Sequence, residues 1–398
     1  MKVAIVVHGR FHAFDLARAV LARGHDVVLF TNYPRRVVAR FGFPPERVHS
    51  FVLHGVLARV LHRLRLHRTP PFEAGVHRLF GRWAAARLRR EHWDRLHVWS
   101  GVAEETFRAS LPGAPLKTLM RGSAHVRTQA RLLEEEERRV GTPLDRPSAW
   151  MIGREEREYA LSERILVLSS FARRTFMEEG EPAEKVRVYP LAARLDQFHA
   201  SAEVVEARRA RIRSGAPLRV LYVGALSFQK GLRDLLDMAR CLPGDRFIFR
   251  CVGPLAPEVR EAVAQRPPSV ELVGKRPQHQ LPAEYAWGDV FVFPTLQDGF
   301  AVVLAQAQAS GLPILTTPNG AGPDIIREGK TGWILPVRSP SRFAERLRWC
   351  DAHREALAEM VAKTYEVFRP LTWDEVAIHF EQGCAPRPSE QPAQLQEA

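Results

Sequence analysis

Two polar residues at helical spacing give the first lead to chemistry. Asp298 and Gln306 stand eight positions apart, beyond the apolar run Val290–Phe293 and Pro294. Eight residues are about two helical turns, so Asp298 falls in a loop at a helix start and Gln306 on the helix, both within reach of one elongated polar ligand. Plainer roles are open to them too: an aspartate caps free N–H groups at a helix start, and a glutamine is an ordinary helical residue. A second loop, Tyr222 to Gly231, leaves another strand-like run, carries Gly224, Ala225 and Lys230, and enters a helix near Leu232. A lysine beside a helix N-terminus, together with the N–H groups exposed there, makes a site for an anion.

Other polar residues sit at predicted strand ends. Arg276, after Val273, Gly274 and Lys275, is either a further cation for that anion or plain surface. Asn319 to Gly322 lets the backbone approach a ligand closely or forms a simple turn. His8, Gly9 and His12 follow the first apolar run, where an imidazole can hydrogen-bond an acceptor or a phosphate, although a lone histidine is more often structural. Glu155, Glu156 and Glu158 read mainly as charged helix surface.

The elements that position these residues alternate. Short apolar runs at Val3–Val7, Val27–Phe30, Leu96–Trp99, Leu116–Met120, Ile165–Leu168 and Val186–Tyr189 are separated by helical patterns, and a second series runs through Leu218–Val223, Phe247–Val252, Val270–Val273, Val290–Phe293 and Ile314–Thr317. Strands alternating with helices predict an α/β chain with two parallel sheets and a ligand cleft between their carboxyl ends. The pattern weakens into a charged stretch at Ala200–Pro217. We expect one domain over 1–199, a linker over 200–217, a second domain over 218–370, a C-terminal helix over 371–384 and a disordered tail over 385–398, where proline and glutamine dominate.

Lys and Arg number 58 against 45 Asp and Glu, a net charge of +13 that favours anionic partners. The excess gathers in Val56–Arg95, where Arg59, Arg63, Arg65, Arg68, Arg78, Arg82, Arg87, Arg89, Arg90 and Arg95 face only Glu73, Glu91 and Asp94. Val56, Leu57, Val60, Leu61 and Leu64 recur near helical spacing, which suits either an amphipathic helix lying on an acidic membrane or a solvated helix face. The chain carries no recognised nucleic-acid motif, which argues against nucleic acid. Cys241, Cys251, Cys350 and Cys384 show neither close pairing nor metal-ligand spacing, and no run of about 18 apolar residues occurs. The expectation is a cytoplasmic protein without signal peptide or membrane span, peripheral at the inner face of the membrane if the basic segment docks there.

The strand-loop-helix segment Phe293–Pro313 resembles the family-4 retaining glycosyltransferases of the GT-B fold, whose signature is a pair of glutamates at the spacing of Asp298 and Gln306. The resemblance covers nearly the whole chain. It implies two Rossmann-like domains facing across a cleft, with the C-terminal helix returning to the first. It also implies that Asp298 contacts hydroxyls of the donor sugar, with Gly299, Phe300 and Ala301 beside it, and that Gln306 holds the ribose. The chain departs from the pattern at both acids: aspartate keeps the charge on a shorter stem, and the neutral amide of Gln306 replaces an anionic acceptor. Tyr222–Gly231 looks like the family's donor-phosphate loop, with Lys230 on the leaving diphosphate, but Ala225 stands where an arginine is common. Glu328–Pro336 matches the glycine-punctuated hairpin, Gly9 and His12 match the loop that approaches donor and acceptor, and Leu119–His125 resembles the segment that sets a histidine, here His125, beside the transferring sugar.

The leading expectation is a metal-independent transferase that passes a sugar from a UDP- or GDP-linked donor to a sugar, lipid-linked or small-molecule acceptor with retention, in glycolipid, surface polysaccharide or glycoside synthesis. The nucleotide sugar is then a co-substrate and no cofactor is needed. Gln306 and Ala225 keep open a non-catalytic carbohydrate- or nucleotide-binding protein. A nicotinamide-dependent dehydrogenase would need a glycine-rich turn after the first strand, which His8-Gly9-Arg10 does not supply.

Overall fold

The computed structural model describes every residue except 65, 67, 68, 190, 194 and 383–398. Arg65 and Arg68 of the basic segment, Cys384 and the expected tail 385–398 therefore lie outside the described residues. Two sheets organise the chain. The first has seven strands, β1 (Lys2–Val7), β2 (Asp26–Thr31), β3 (Val48–Ser50), β4 (Arg95–Trp99), β5 (Leu116–Arg121), β6 (Arg164–Val167) and β7 (Val186–Val188), in the order β3-β2-β1-β4-β5-β6-β7. The second has six, β8 (Leu218–Val223), β9 (Phe247–Val252), β10 (Val270–Gly274), β11 (Val290–Phe293), β12 (Ile314–Thr316) and β13 (Gly332–Ile334), in the order β10-β9-β8-β11-β12-β13. Neighbouring strands run parallel in both, β1 against β2 and β4, β8 against β9 and β11.

Parallel sheets covered on both faces have near-continuous apolar strands, and the side chains divide by alternation. In β1, Val3, Ile5 and Val7 enter one buried cluster, while Ala4 and Val6 enter the cluster on the opposite face. That is why the runs were readable. Two strands were not foreseen: β3 has one apolar residue in three, and β13 lies where a hairpin was expected. Gly329–Gly332 does make a tight turn, but Gly332 and Trp333 then pair parallel with Ile314 and Leu315 at the sheet edge.

The charged stretch expected as a linker is the helix Ala202–Arg213, packed into the second core through Val205 and Ile212. Arg208 explains its docking. Its guanidinium, 0% exposed, donates to the carbonyls of Gly288 (2.7 Å), Tyr285 (2.9 Å) and Ser310. Gly288 and Ser310 end the helices Leu281–Trp287 and Val302–Ala309, so one cation satisfies the last carbonyls of two helices.

The chain passes between the halves twice. Ala192 packs in the first core and Leu195 in the second; later Phe368 packs in the second and Leu371 against the first. The crossings lie side by side, since His199 stacks on Phe368 with ring centroids 5.9 Å apart. The final helix, Trp373–Glu381, then buries Val376, Ala377 and Phe380 in the first core, and Glu381 pairs with Arg23. Among the described residues no helix is long and apolar enough to cross a membrane.

Candidate functional site

Ligand crevices in open α/β sheets form at the carboxyl ends of strands, where the connections from adjacent strands diverge. β8 lies between β9 and β11, so the loops leaving β8 and β11 meet at such a point. Gly231 lets them come close: its φ is +81°, and a Cβ there would stand 1.9 Å from the Pro294 carbonyl oxygen. The result is an ion pair, Lys230 Nζ 2.7 Å from Asp298 Oδ2, with Gln297 O a further 3.4 Å contact of the ammonium.

The other Asp298 oxygen, Oδ1, accepts from the backbone N–H groups of Phe300 (3.1 Å) and Ala301 (2.9 Å). One carboxylate thus holds both the loop N–H groups that precede the helix and the Lys230 ammonium. Ala301 has φ +63°, a left-handed conformation costing about 1–2 kcal/mol for a residue with a Cβ, and the Asp298 carboxylate fixes its N–H. The helix Val302–Ala309 starts immediately afterwards. On it Gln306 is 8% exposed, and its Oε1 accepts from the buried Tyr285 hydroxyl at 2.8 Å. Tyr285 takes one lone pair of that amide oxygen, which leaves Gln306 the second lone pair and Nε2 to offer.

This loop also touches the first half. A Cβ on Gly299 would lie 2.0 Å from the Gly122 carbonyl oxygen, Gln297 Oε1 accepts from Ser123 Oγ at 2.8 Å, and Phe300 packs against the first core. Gln297 is fully buried and its Nε2 has no partner. Nearby, Arg139 pairs with Asp234 in the first turn of the helix Leu232–Arg240 that follows the Lys230 loop.

Between the halves lies a cleft of about 1180 Å³. His8, Arg10, His12 and Arg121 line it from the first sheet; Gln229, beside Lys230, and Val302, the first residue of the Gln306 helix, line it from the second. Lys230, Asp298 and Gln306 are not among its lining residues, although Lys230 adjoins Gln229 and the Lys230 and Asp298 side chains are about one-fifth exposed. His12 Nε2 and His8 Nδ1 are buried without partners, and burial lowers the pKa of His12 to about 4 and that of His8 well below its usual range. Both rings are therefore neutral near pH 7, suited to hydrogen bonding. Gly9 supports the loop, its carbonyl accepting from Thr31 Oγ1 at 3.2 Å. Gly224, at φ +155°, leaves β8 under the Phe293 ring.

Two expectations need correction. His125 does not line the cleft: it is 3% exposed, its Nδ1 caps the helix Val126–Val140 by accepting from Arg127 N–H (3.3 Å), and its ring packs on Tyr159 and Phe176. Within Leu119–His125, Arg121, Gly122 and Ser123 are the residues that reach the cleft or the other half. Glu155 and Glu158, read as helix surface, are buried, Glu158 accepting from Arg154 (3.0 Å) and from the N–H groups of Gly101 (2.6 Å) and Ala103 (2.8 Å). Burial pushes its carboxyl up to about 8 against the pull of Arg154. Of the two roles open to Arg276, the structure shows an exposed side chain whose Nε lies 3.5 Å from Glu284.

Sequence reasoning passed over Arg121 and Gln297. Arg121 ends β5 with its Nη2 donating to Gln129 Oε1 (2.6 Å) and its Nε 2.8 Å from Glu155. A polar residue at the carboxyl end of a predicted strand was the available signal for both.

The fold has known counterparts. Anabaena Alr3699/HepE, solved with UDP, superposes with TM-score 0.67 at 14% identity over 96% of this chain and 99% of that one, and WaaG, a glycosyltransferase involved in lipopolysaccharide biosynthesis, with TM-score 0.59 at 18% identity over 96% and 98%. Among relatives by sequence, the D-inositol 3-phosphate glycosyltransferase of Acidothermus cellulolyticus is 26% identical over 83% of this chain and 75% of its own. The putative colanic acid biosynthesis glycosyltransferase WcaL of Salmonella typhimurium is 28% identical over 42% of each chain. With this WcaL, that of Escherichia coli and AmsK of Erwinia amylovora, the chain spans less than half the relative's length. The fold is thus that of two Rossmann-like parallel-sheet domains as in GT-B glycosyltransferases, and residues 217–351, which hold Lys230, Asp298 and Gln306, match the family model described as Glycosyl transferases group 1.

Proposed function

We propose that this chain is a retaining, metal-independent glycosyltransferase of the family-4 type, moving a sugar from a UDP- or GDP-linked donor to an acceptor hydroxyl in glycolipid, surface polysaccharide or glycoside synthesis. The observation that carries this reading is the Lys230–Asp298 pair at the switch point of the second sheet, one residue from the cleft lining. On donor binding the diphosphate replaces Asp298 as the partner of Lys230, and the ammonium with the following helix N-terminus steadies the charge that grows on the leaving group. Freed from Lys230, Asp298 Oδ2 accepts from sugar hydroxyls while Oδ1 keeps the loop in place. Gln306 Nε2 donates to the ribose. Neutral His12 and Arg121 face the acceptor side, and the acceptor hydroxyl attacks from the face the diphosphate leaves, its proton passing to the leaving oxygen. That route needs no enzyme nucleophile.

The relatives named as glycosyltransferases support the reaction class. A second reading, binding without turnover, draws on Gln306, whose amide oxygen is held by Tyr285. Nucleotide release from a panel of UDP- and GDP-sugars, with and without acceptors, separates the two. Release that Lys230→Ala and Asp298→Ala both abolish supports transfer; nucleotide binding with no release under any condition supports the second reading.

A further inference from the structure

The helix Val52–Arg63 has an apolar face left exposed by the described residues. Its inner side is built by His54, Gly55 and Leu61, all buried. On the other side Leu53 (78% exposed), Leu57, Val60 and, one residue past the helix, Leu64 (60% exposed) follow one another at spacings of four, three and four, a stripe along one line of the helix. Val52 and Val56 are exposed beside it. The packed neighbour Pro70–Leu88 adds exposed Phe72 and Leu79, seven residues apart and so on one face. So concentrated a set of exposed large apolar side chains marks an interaction surface rather than ordinary scatter.

Charge identifies the partner. Arg59, Arg63, Arg78 and Arg82 are exposed on the same two helices. Glu73 is the sole carboxylate among the described residues from 52 to 90, and it is buried, its Oε2 accepting from Ser148 Oγ at 2.6 Å. An apolar stripe flanked by arginines with no outward acid is the pattern of a helix that lies in the headgroup region of an anionic bilayer. We infer that the outer face of Val52–Arg63, with Phe72 and Leu79, docks on an anionic membrane surface. The same helix lines the cleft through Ala58, Leu61 and His62, so docking sets the cleft mouth against the bilayer. Resting on the transfer reading, the acceptor is then a lipid-borne hydroxyl presented from the membrane plane.

The test is sedimentation of the purified full chain with phosphatidylcholine vesicles with and without phosphatidylglycerol, in the absence of nucleotide sugar. Expected is retention on the phosphatidylglycerol vesicles alone, weakened by added salt. Retention should fall about tenfold or more in Leu53→Glu/Leu57→Glu/Val60→Glu and in Arg59→Glu/Arg63→Glu, each with unchanged circular dichroism and UDP or GDP binding. The inference is overturned if wild type is not retained, if it is retained equally on neutral vesicles, or if the folded variants are retained as well as wild type. It is also overturned if light scattering shows a dimer that the apolar variant dissociates, which would make the face a contact between copies. Nucleotide release is measured separately, so failure here leaves the transfer reading standing.

Discussion

Lys230 Nζ and Asp298 Oδ2 lie 2.7 Å apart although 68 positions separate the residues. Each neutralises the other, so on the transfer reading ligand binding exchanges the pair rather than meeting a lone charge. Lys230→Ala should lower donor-dependent nucleotide release by about a hundredfold, the scale of losing one preorganised charge-stabilising donor. Asp298→Asn keeps Oδ1 for the loop N–H groups and should leave the melting temperature close to wild type while release falls. Parallel release and melting curves check the split; equal losses of stability in both variants would refute it.

Gly299 and Gly320 make a matched comparison. A Cβ on Gly299 meets the Gly122 carbonyl oxygen at 2.0 Å, whereas one on Gly320 meets Asp298 Cβ at an ordinary 3.8 Å. Gly299→Ala should therefore hold the halves apart and reduce release about tenfold or more, as misplacement of about an ångström does, while Gly320→Ala should stay near wild type. Small-angle scattering and release assays on both variants give the answer.

Gln306 offers a test by gain. Gln306→Glu supplies a carboxylate that can still accept from Tyr285 and has a second oxygen for a ribose hydroxyl. Charge-assisted hydrogen bonds are roughly twice as strong as neutral ones, so UDP or GDP affinity should rise about tenfold by titration calorimetry. Tyr285→Phe frees the glutamine oxygen and should raise affinity by less.

Arg208 is a purely structural prediction. Arg208→Met fills similar volume but leaves three buried carbonyls without a donor, at about 1–3 kcal/mol for each one unsatisfied. Urea unfolding should show a loss of about 3 kcal/mol or more.

The pH dependence follows from buried imidazoles. Burial lowers His12, His77 and His125 each to about 4, against an ordinary 6.5. Between these values the unfolded chain binds more protons, so stability present above pH 6.5 is lost as pH falls toward 4. The slope is at most about 1.4 kcal/mol per pH unit for buried His125 and less for the part-exposed His12 and His77. Glu158, raised to about 8, opposes this: its stabilising contribution is complete below the ordinary 4.5 and is lost as pH rises through 8. Urea midpoints should therefore fall on acidification below neutrality, and more steeply in Glu158→Gln.

What could be read from the sequence depended on whether a pattern was local. Continuous apolar runs located most strands, and the strand-to-helix setting of Lys230 and Asp298 marked the loops that meet. β3 has one apolar residue in three, and β13 starts on the glycine that closes a tight turn, so neither carries a continuous run. The helix Ala202–Arg213 was missed because its anchor is an arginine, which looks like surface until the carbonyls of two other helices surround it. His125 misled for the same reason: whether an imidazole faces a cleft or packs on Tyr159 and Phe176 is decided by partners 34 and 51 residues away.

The paired crossings between the halves have a mechanical consequence. Ala192 and Leu195 bracket one crossing, Phe368 and Leu371 bracket the other, and the His199–Phe368 stack sets the two side by side. Two adjacent links restrict twist of one half against the other more than a single link would. Any widening of the cleft has to part Gly299 from Gly122 and Gln297 from Ser123 together.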